Sequence, residues 1–103
     1  MGQIRWTSEA HRWLREIHDY IAQDSPSAAK RVVRGIYDKA QTLSRFPEMG
    51  HVYDRSSPEP IRILLYGHYR IAYLILPNQN IEILGVFHGS LDIERFLRSD
   101  EQS

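Results

Sequence analysis

Ile61-Arg62-Ile63-Leu64-Leu65-Tyr66-Gly67-His68-Tyr69-Arg70-Ile71-Ala72-Tyr73-Leu74-Ile75-Leu76 is the segment that decides the fold. Two runs rich in apolar, β-branched and aromatic residues flank a Gly-His pair, and such runs are typical of strands. Two strand-like runs separated by two residues favour a tight hairpin. The segment therefore predicts a pair of antiparallel strands over residues 61–66 and 69–76.

A third apolar run, residues 81–87, follows a polar turn from Pro77 to Asn80. Three successive strand-like runs joined by short turns predict an antiparallel meander. Six polar or amphipathic side chains lie along it, and strand alternation divides them between the two faces of the sheet. They are Arg62, Tyr66, Tyr69, Arg70, Tyr73 and His88.

The two-residue turn predicts the register of the first hairpin. Tyr66 is expected opposite Tyr69 and Arg62 opposite Tyr73, all on one face of the sheet. Arg70 then lies on the other face, opposite Leu65. We interpret the shared face as the one that no helix covers.

The position of His88 depends on the second turn. An even-numbered loop places His88 opposite Tyr69, on the face that carries Arg62. An odd-numbered loop or a bulge places it beside Arg70 instead. The sequence leaves both registers open, and His88 gains an arginine neighbour in either one.

The N-terminal half predicts two helices preceded by a short strand. Residues 3–7 alternate polar and apolar side chains, as a strand does. Ser8 is expected to cap the first helix, and Ser25, with Pro26 behind it, the second. Apolar residues then recur at three- and four-residue steps, which is the pattern of amphipathic helices: Ala10, Trp13, Leu14, Ile17 and Ile21, then Ala29, Val32, Val33, Ile36, Ala40 and Leu43.

The predicted order is β-α-α-β-β-β, with a short C-terminal helix near Leu91 to Leu97. This is an α+β fold in which a helical hairpin packs on one face of a small antiparallel sheet. The sequence has no internal repeat or linker, so we expect a single domain over residues 1–103. A polar loop is expected between the second helix and residue 61.

Composition narrows the classes of function. Thirteen basic and thirteen acidic residues give a formal net charge of zero, which does not favour general binding to a phosphate backbone. The chain has no cysteine, and its five histidines are scattered, so we expect neither a disulfide framework, a metal nor a cofactor. The N-terminus lacks the apolar core of a signal peptide. A cytoplasmic protein is the expectation.

Arginine, tyrosine and histidine along one sheet have two interpretations. Arginine is suited to hold phosphate, while histidine is suited to move a proton, and together they would support RNA cleavage. Alternatively, the tyrosines are ordinary strand residues and His88 is the polar end of a buried strand. Composition alone favours the second interpretation.

In order and spacing, the chain resembles toxins of the RelE/ParE superfamily from about residue 4 to residue 97. The matching positions are Trp6-Thr7, Ala10, Leu14, Ile17, Tyr20-Ile21, Ser25-Pro26, Ala28-Ala29, Ile36, Leu43, Phe46-Pro47, Met49-Gly50, Arg62, Tyr69-Arg70-Ile71, Tyr73, Ile83-Leu84, Val86, His88-Gly89 and Asp92-Ile93. The resemblance implies a growth-inhibiting toxin of a bacterial type II toxin–antitoxin pair, neutralised by a cognate antitoxin in a hetero-oligomer.

The superfamily divides by target, and the resemblance implies two candidate activities. ParE-like members inhibit DNA gyrase, whereas RelE-like members cleave messenger RNA in the ribosomal A site. A nuclease often carries a tyrosine near its C-terminus and a strongly basic composition, but here Phe96 occupies the tail and the chain is neutral. The ParE-like activity is therefore favoured, with the endoribonuclease and an inactive homologue kept as an interaction module as alternatives.

The resemblance and the residues themselves together assign candidate roles. Under the nuclease alternative the catalytic set is Arg62, Arg70 and His88. Contacts to the target or to RNA are expected from Arg55, Tyr66, Tyr69 and Tyr73, and contacts to the antitoxin from Leu91, Phe96 and Leu97.

Overall fold

A computed structural model describes residues 2–56 and 58–88 of the chain. The described elements are β1 (Ile4–Trp6), α1 (Ser8–Ala22), α2 (Pro26–Gln41), a 3-10 turn (Thr42–Ser44), β2 (His51–Asp54), β3 (Ile61–Tyr66), β4 (Tyr69–Ile75) and β5 (Ile81–His88). The α+β class and the predicted order of elements are confirmed, and β2 is one strand more than expected. The predicted C-terminal helix lies outside the described residues.

The five strands form one sheet in the order β1-β5-β4-β3-β2. Neighbouring strands from β2 to β5 run antiparallel, but β1 runs parallel to β5, with Ile4 opposite Ile81 and Trp6 opposite Ile83. The sheet is therefore mixed, whereas the sequence predicted an antiparallel one. A parallel pair requires a long crossover, and here α1 and α2 belong to that crossover.

Side-chain caps define where the helices begin. Thr7, not Ser8, caps α1, because the Thr7 hydroxyl accepts a hydrogen bond from the Ala10 amide at 3.0 Å. The prediction for α2 is confirmed, since the Ser25 hydroxyl accepts from the Ala28 amide at 3.2 Å and Pro26 begins the helix. In the ranges that the structure describes, no helix is long and apolar enough to cross a membrane.

Both helices pack on the same face of the sheet. The buried cluster between the layers contains Ala10 from α1, residues of α2 and the 3-10 turn, and strand residues such as Leu64, Ile71 and Ile83. Gly35 of α2 faces the side chain of Tyr66, and a Cβ at this position would overlap the Tyr66 hydroxyl. The glycine thus lets a strand tyrosine approach the helix backbone closely.

A second, smaller apolar cluster contains Ile63, Ala72 and Phe87, and strand alternation places these side chains on the other face of the sheet. Trp13 of α1 reaches this cluster, with its ring edge-on to Phe87 at a centroid distance of 4.8 Å. A Cβ at Gly85 would lie 2.6 Å from the Phe87 ring and 3.4 Å from Trp13. The absence of a side chain at Gly85 therefore makes room for this aromatic contact.

Candidate functional site

The second hairpin determines where the candidate residues lie. Its loop has five residues, 76–80, which is an odd number. A bulge at Leu84 adds a one-residue shift, because Ala72 pairs with Gly85 whereas the next residue of β4 pairs with Ile83. The two irregularities cancel, and His88 lies opposite Tyr69.

The first hairpin has the predicted register, with Tyr66 opposite Tyr69 and Arg62 opposite Tyr73. The face was predicted wrongly, however. Tyr73 is fully buried in the cluster beneath the helices, and Tyr66 and Tyr69 pack against the same cluster. Aromatic rings contribute a large buried apolar area provided that the hydroxyl finds a partner. Tyr73 therefore belongs to the interior of the domain, whereas Tyr66 and Tyr69 are half-buried against it.

Arg62 and Tyr73 hold the loop that leads into β2. The Tyr73 hydroxyl donates to the Pro47 carbonyl at 2.7 Å and accepts from the Gly50 amide at 2.9 Å. The Arg62 guanidinium donates to the carbonyls of Gly50 at 2.8 Å and Glu48 at 3.3 Å. Burial raises the pKa of Tyr73, and the Gly50 bond and the nearby Arg62 charge partly oppose that rise.

Arg70 lies on the opposite face of the sheet from Arg62. Its partners across the neighbouring strands are Leu65 and Phe87, which gives it an apolar setting. Within the described part of the chain, the buried Arg70 Nε has no hydrogen-bond partner.

His88 lies at the exposed end of β5, in a small cluster of rings. Its ring centroid is 6.0 Å from that of His68 and 5.4 Å from that of Tyr69. Beside it, a groove of about 340 Å³ runs along α1 and includes Trp13 and the 76% exposed Tyr20. Burial raises the pKa of Tyr69.

The three residues of the predicted catalytic set do not converge. Tyr69 and Tyr73, the cross-strand partners of His88 and Arg62, are four residues apart on β4, which is about 13 Å along a strand. Arg70 points to the other face. General acid–base cleavage with phosphate stabilisation needs these groups around one reacting atom, whereas in the described structure they are spread over two faces of the sheet.

The remaining candidates occupy other places. Arg55 is exposed in the loop after β2. Leu91, Phe96 and Leu97 lie outside the described residues, so their assignment to the antitoxin stays a prediction. Among the described residues, no group of three His, Asp or Glu side chains is placed to hold a metal ion.

One surface was missed by sequence reasoning. An open groove of about 750 Å³ is formed by Phe46, Pro47, Glu48, Met49, Ile75 and Gln79. Phe46 and Met49 are 61% and 43% exposed, which is unusual for large apolar side chains. The signal was the segment from Phe46 to Gly50, which we used only as evidence of the family resemblance.

This chain is similar to proteins named as toxins and to chains of toxin–antitoxin systems. Residues 4–93 match the family model described as ParE toxin of type II toxin–antitoxin system, parDE. The protein Y4kP of Sinorhizobium fredii is 38% identical over 87 residues, which cover 84% of this chain and 88% of that protein. Toxin RelE2 of Caulobacter vibrioides is 40% identical over 52 residues, covering 50% of this chain and 59% of RelE2.

Solved structures share the fold. A chain of the chromosomal ParDE TA system from P. aeruginosa superposes with a TM-score of 0.72 at 22% identity, covering 87% of this chain and 98% of that one. A chain of the toxin–antitoxin complex RelBE2 from Mycobacterium tuberculosis gives a TM-score of 0.62 at 25% identity, with coverages of 85% and 98%.

Proposed function

Because the chain belongs to the ParE toxin family of type II toxin–antitoxin systems, we propose that it arrests growth by binding and inhibiting DNA gyrase, without catalysing a reaction itself. The observation that carries this proposal is the dispersal of Arg62, Arg70 and His88 over two faces of the sheet. A toxin that acts by binding needs an accessible surface and no converging acid, base and cation.

Arg62 supports the same proposal through its contacts. Its Nη1 donates to two backbone carbonyls of the loop before β2, so this nitrogen is already used within the protein. A phosphate-binding arginine would instead present its fork of donors to the ligand. The formal net charge of zero also does not favour binding to a long RNA backbone.

We further propose that a cognate antitoxin neutralises the protein by direct binding. Support comes from the two solved relatives, which are described as a ParDE TA system and a RelBE2 toxin–antitoxin complex. The antitoxin gene is expected beside the toxin gene.

A supercoiling assay tests the target. Purified toxin is titrated into a reaction of gyrase with relaxed plasmid, and supercoiling is expected to fall with increasing toxin and to recover when antitoxin is added. A heat-denatured sample of the toxin controls for additives in the preparation. Undiminished supercoiling at saturating toxin would contradict gyrase as the target.

The ribonuclease is the second candidate, favoured by the 40% identity to toxin RelE2 over half of the chain. It predicts cleavage of messenger RNA in a purified translation reaction only when ribosomes are present. It also predicts that Arg70→Ala and His88→Ala each abolish cleavage while folding normally. Full toxicity of both folded variants would exclude this alternative.

A further inference from the structure

Three side chains of α1 place a carboxylate between two aromatic rings. Glu16 follows Trp13 by three positions and precedes Tyr20 by four, and residues at these spacings are neighbours on a helix surface. All three line the groove beside His88. Tyr20 is 76% exposed and Glu16 is also exposed, so a partner can reach both side chains.

We call this groove of about 340 Å³ the aromatic groove. Its lining side chains come from α1, β4 and β5, and they are Trp13, Glu16, Ile17, Tyr20, Ile21, Tyr69, Val86 and His88. Apart from Glu16 and His88, these side chains are aromatic or aliphatic. Glu16 therefore gives this mostly apolar groove its acidic charge.

The carboxylate of Glu16 is not neutralised by an ion pair within the described part of the chain. The ion pairs found there are Arg12 with Glu9 at 3.4 Å and His18 with Asp19 at 3.1 Å. Arg12, one turn before Glu16, is thus paired with another carboxylate. The aromatic groove combines an available negative charge with aromatic rings, and both features attract a cation.

We propose that the aromatic groove binds an arginine side chain of a partner protein. The guanidinium stacks on the ring of Trp13 or Tyr20 and donates hydrogen bonds to the Glu16 carboxylate. Its methylene stem packs on Ile17 and Ile21, which are half-buried. A planar guanidinium can stack on a ring and also donate two parallel hydrogen bonds to a carboxylate, whereas a lysine ammonium acts as a point charge.

Charge favours this occupant over two others. A polyamine carries several positive charges, whereas the aromatic groove supplies one carboxylate. A second copy of the chain, docked by the same surface, would bring the Glu16 carboxylates of both copies together, and like charges at an interface are unfavourable. An arginine side chain matches the single carboxylate and also covers the aliphatic positions beside it.

A minimal probe tests the charge requirement. N-acetylarginine methylamide is titrated into isotope-labelled protein, and the indole N–H signal of Trp13 is followed by nuclear magnetic resonance. The signal of Trp6, which does not line the groove, is the internal control. The citrulline analogue is the matched ligand, because it has nearly the same shape and no charge. We expect a saturable shift of the Trp13 signal and at least about threefold weaker binding of citrulline at equal ionic strength.

A second probe tests whether the occupant belongs to a protein. In a short peptide, leucine is placed on both sides of the arginine, so that apolar side chains accompany the cation as they would in a partner segment. This peptide is expected to bind more tightly than the free arginine derivative, because it also covers Ile17 and Ile21. A peptide that binds no more tightly would overturn the assignment to a protein partner.

Two pairs of variants test the individual contacts. Glu16→Gln should weaken binding of the arginine probe by about threefold or more, whereas Asp24→Asn, which removes an exposed carboxylate outside the groove, should leave it unchanged. Tyr20→Leu should also weaken binding, and Phe46→Leu is its control, because Phe46 is another exposed aromatic residue. Circular dichroism and thermal unfolding verify that each variant folds.

Equal affinity for the arginine and citrulline probes would overturn the proposal, as would equal effects of Glu16→Gln and Asp24→Asn. Tighter binding of spermidine than of the arginine peptide, followed by the same Trp13 signal, would identify a free polyamine as the ligand and would also overturn it. The inference does not depend on gyrase as the target. Failure of the protein to inhibit supercoiling would contradict the proposed target alone, since probe binding is measured without gyrase.

Discussion

Arg62 and Tyr73 lie opposite each other on β3 and β4, and both hold the loop that leads from the 3-10 turn into β2. The Tyr73 hydroxyl satisfies one carbonyl and one amide of this loop, and Arg62 satisfies two carbonyls. The loop also forms part of the exposed groove around Phe46 and Met49. The pair therefore connects the interior of the sheet to an accessible surface.

Replacing the tyrosine tests this connection. Tyr73→Phe removes the hydroxyl and leaves the Gly50 amide and the Pro47 carbonyl without their partner, which costs about 1–3 kcal/mol of unfolding free energy. Urea denaturation measures the loss. Tyr20→Phe is the matched control, because Tyr20 is 76% exposed, and its effect is expected within about 0.5 kcal/mol of zero. Equal effects of the two substitutions would contradict a structural role of the Tyr73 hydroxyl.

The buried Tyr73 hydroxyl also predicts how the unfolding free energy depends on pH in the alkaline range. Burial raises the pKa of Tyr73, so above about pH 10, the ordinary tyrosine pKa, the unfolded chain loses this proton more readily than the folded protein. Stability contributed by the neutral hydroxyl is thus complete below that pH and is lost as the pH rises through the folded pKa. We expect a steeper alkaline decline of unfolding free energy in the wild type than in Tyr73→Phe. Parallel declines in urea denaturation across that range would refute this expectation.

The contact between Gly35 and Tyr66 predicts that Gly35→Ala lowers the unfolding free energy, although the same substitution normally raises it in a helix. Gly→Ala in a helix normally stabilises by about 0.5–1 kcal/mol, but here the added methyl group would overlap the Tyr66 side chain. We expect Gly35→Ala to destabilise by about 1–3 kcal/mol, as overpacking does. In a Tyr66→Ala background the same change should become neutral or stabilising. If the two substitutions changed the unfolding free energy additively in this double-mutant cycle, Gly35 and Tyr66 would not be coupled.

Substitutions of Thr7 and Ser8 test which of the two residues caps α1. Thr7→Ala should cost about 1 kcal/mol, because the hydroxyl that accepts from the Ala10 amide is lost. Ser8→Ala, at the first residue of α1, should change the unfolding free energy by less than about 0.5 kcal/mol. The opposite ranking of the two variants would place the cap at Ser8, as the sequence pattern predicted.

Local features of the sequence predicted local features of the structure. The register of the first hairpin follows from a two-residue turn in which Gly67 takes a positive φ of 58°. The second helix follows from Ser25 and Pro26, which satisfy the helix terminus without help from elsewhere. The strand β2 was missed because its four residues follow Gly50 in a polar context, and its pairing with β3 is a tertiary contact.

The face of the sheet could not be predicted by alternation. Alternation shows that Tyr66, Tyr69 and Tyr73 share a side but not which side the helices cover. The deciding facts are tertiary: Gly35 leaves space for Tyr66, and the loop at Gly50 provides partners for Tyr73. Likewise, the odd loop and the bulge at Leu84 cancel. The neighbouring Gly85 indicates a bulge, but it does not specify the resulting register.

Replacing Arg62 distinguishes between the two candidate functions, inhibition of gyrase and cleavage of RNA. Arg62→Ala removes the hydrogen bonds to the Gly50 and Glu48 carbonyls and should destabilise the protein by about 1–2 kcal/mol. If Arg62 is structural, toxicity in cells falls only with the amount of folded protein, and inhibition per folded molecule in vitro is retained. Arg5→Ala, an exposed arginine on β1, is the control for loss of one charge. Loss of activity per folded molecule, with unfolding free energy unchanged, would instead place Arg62 in a catalytic set.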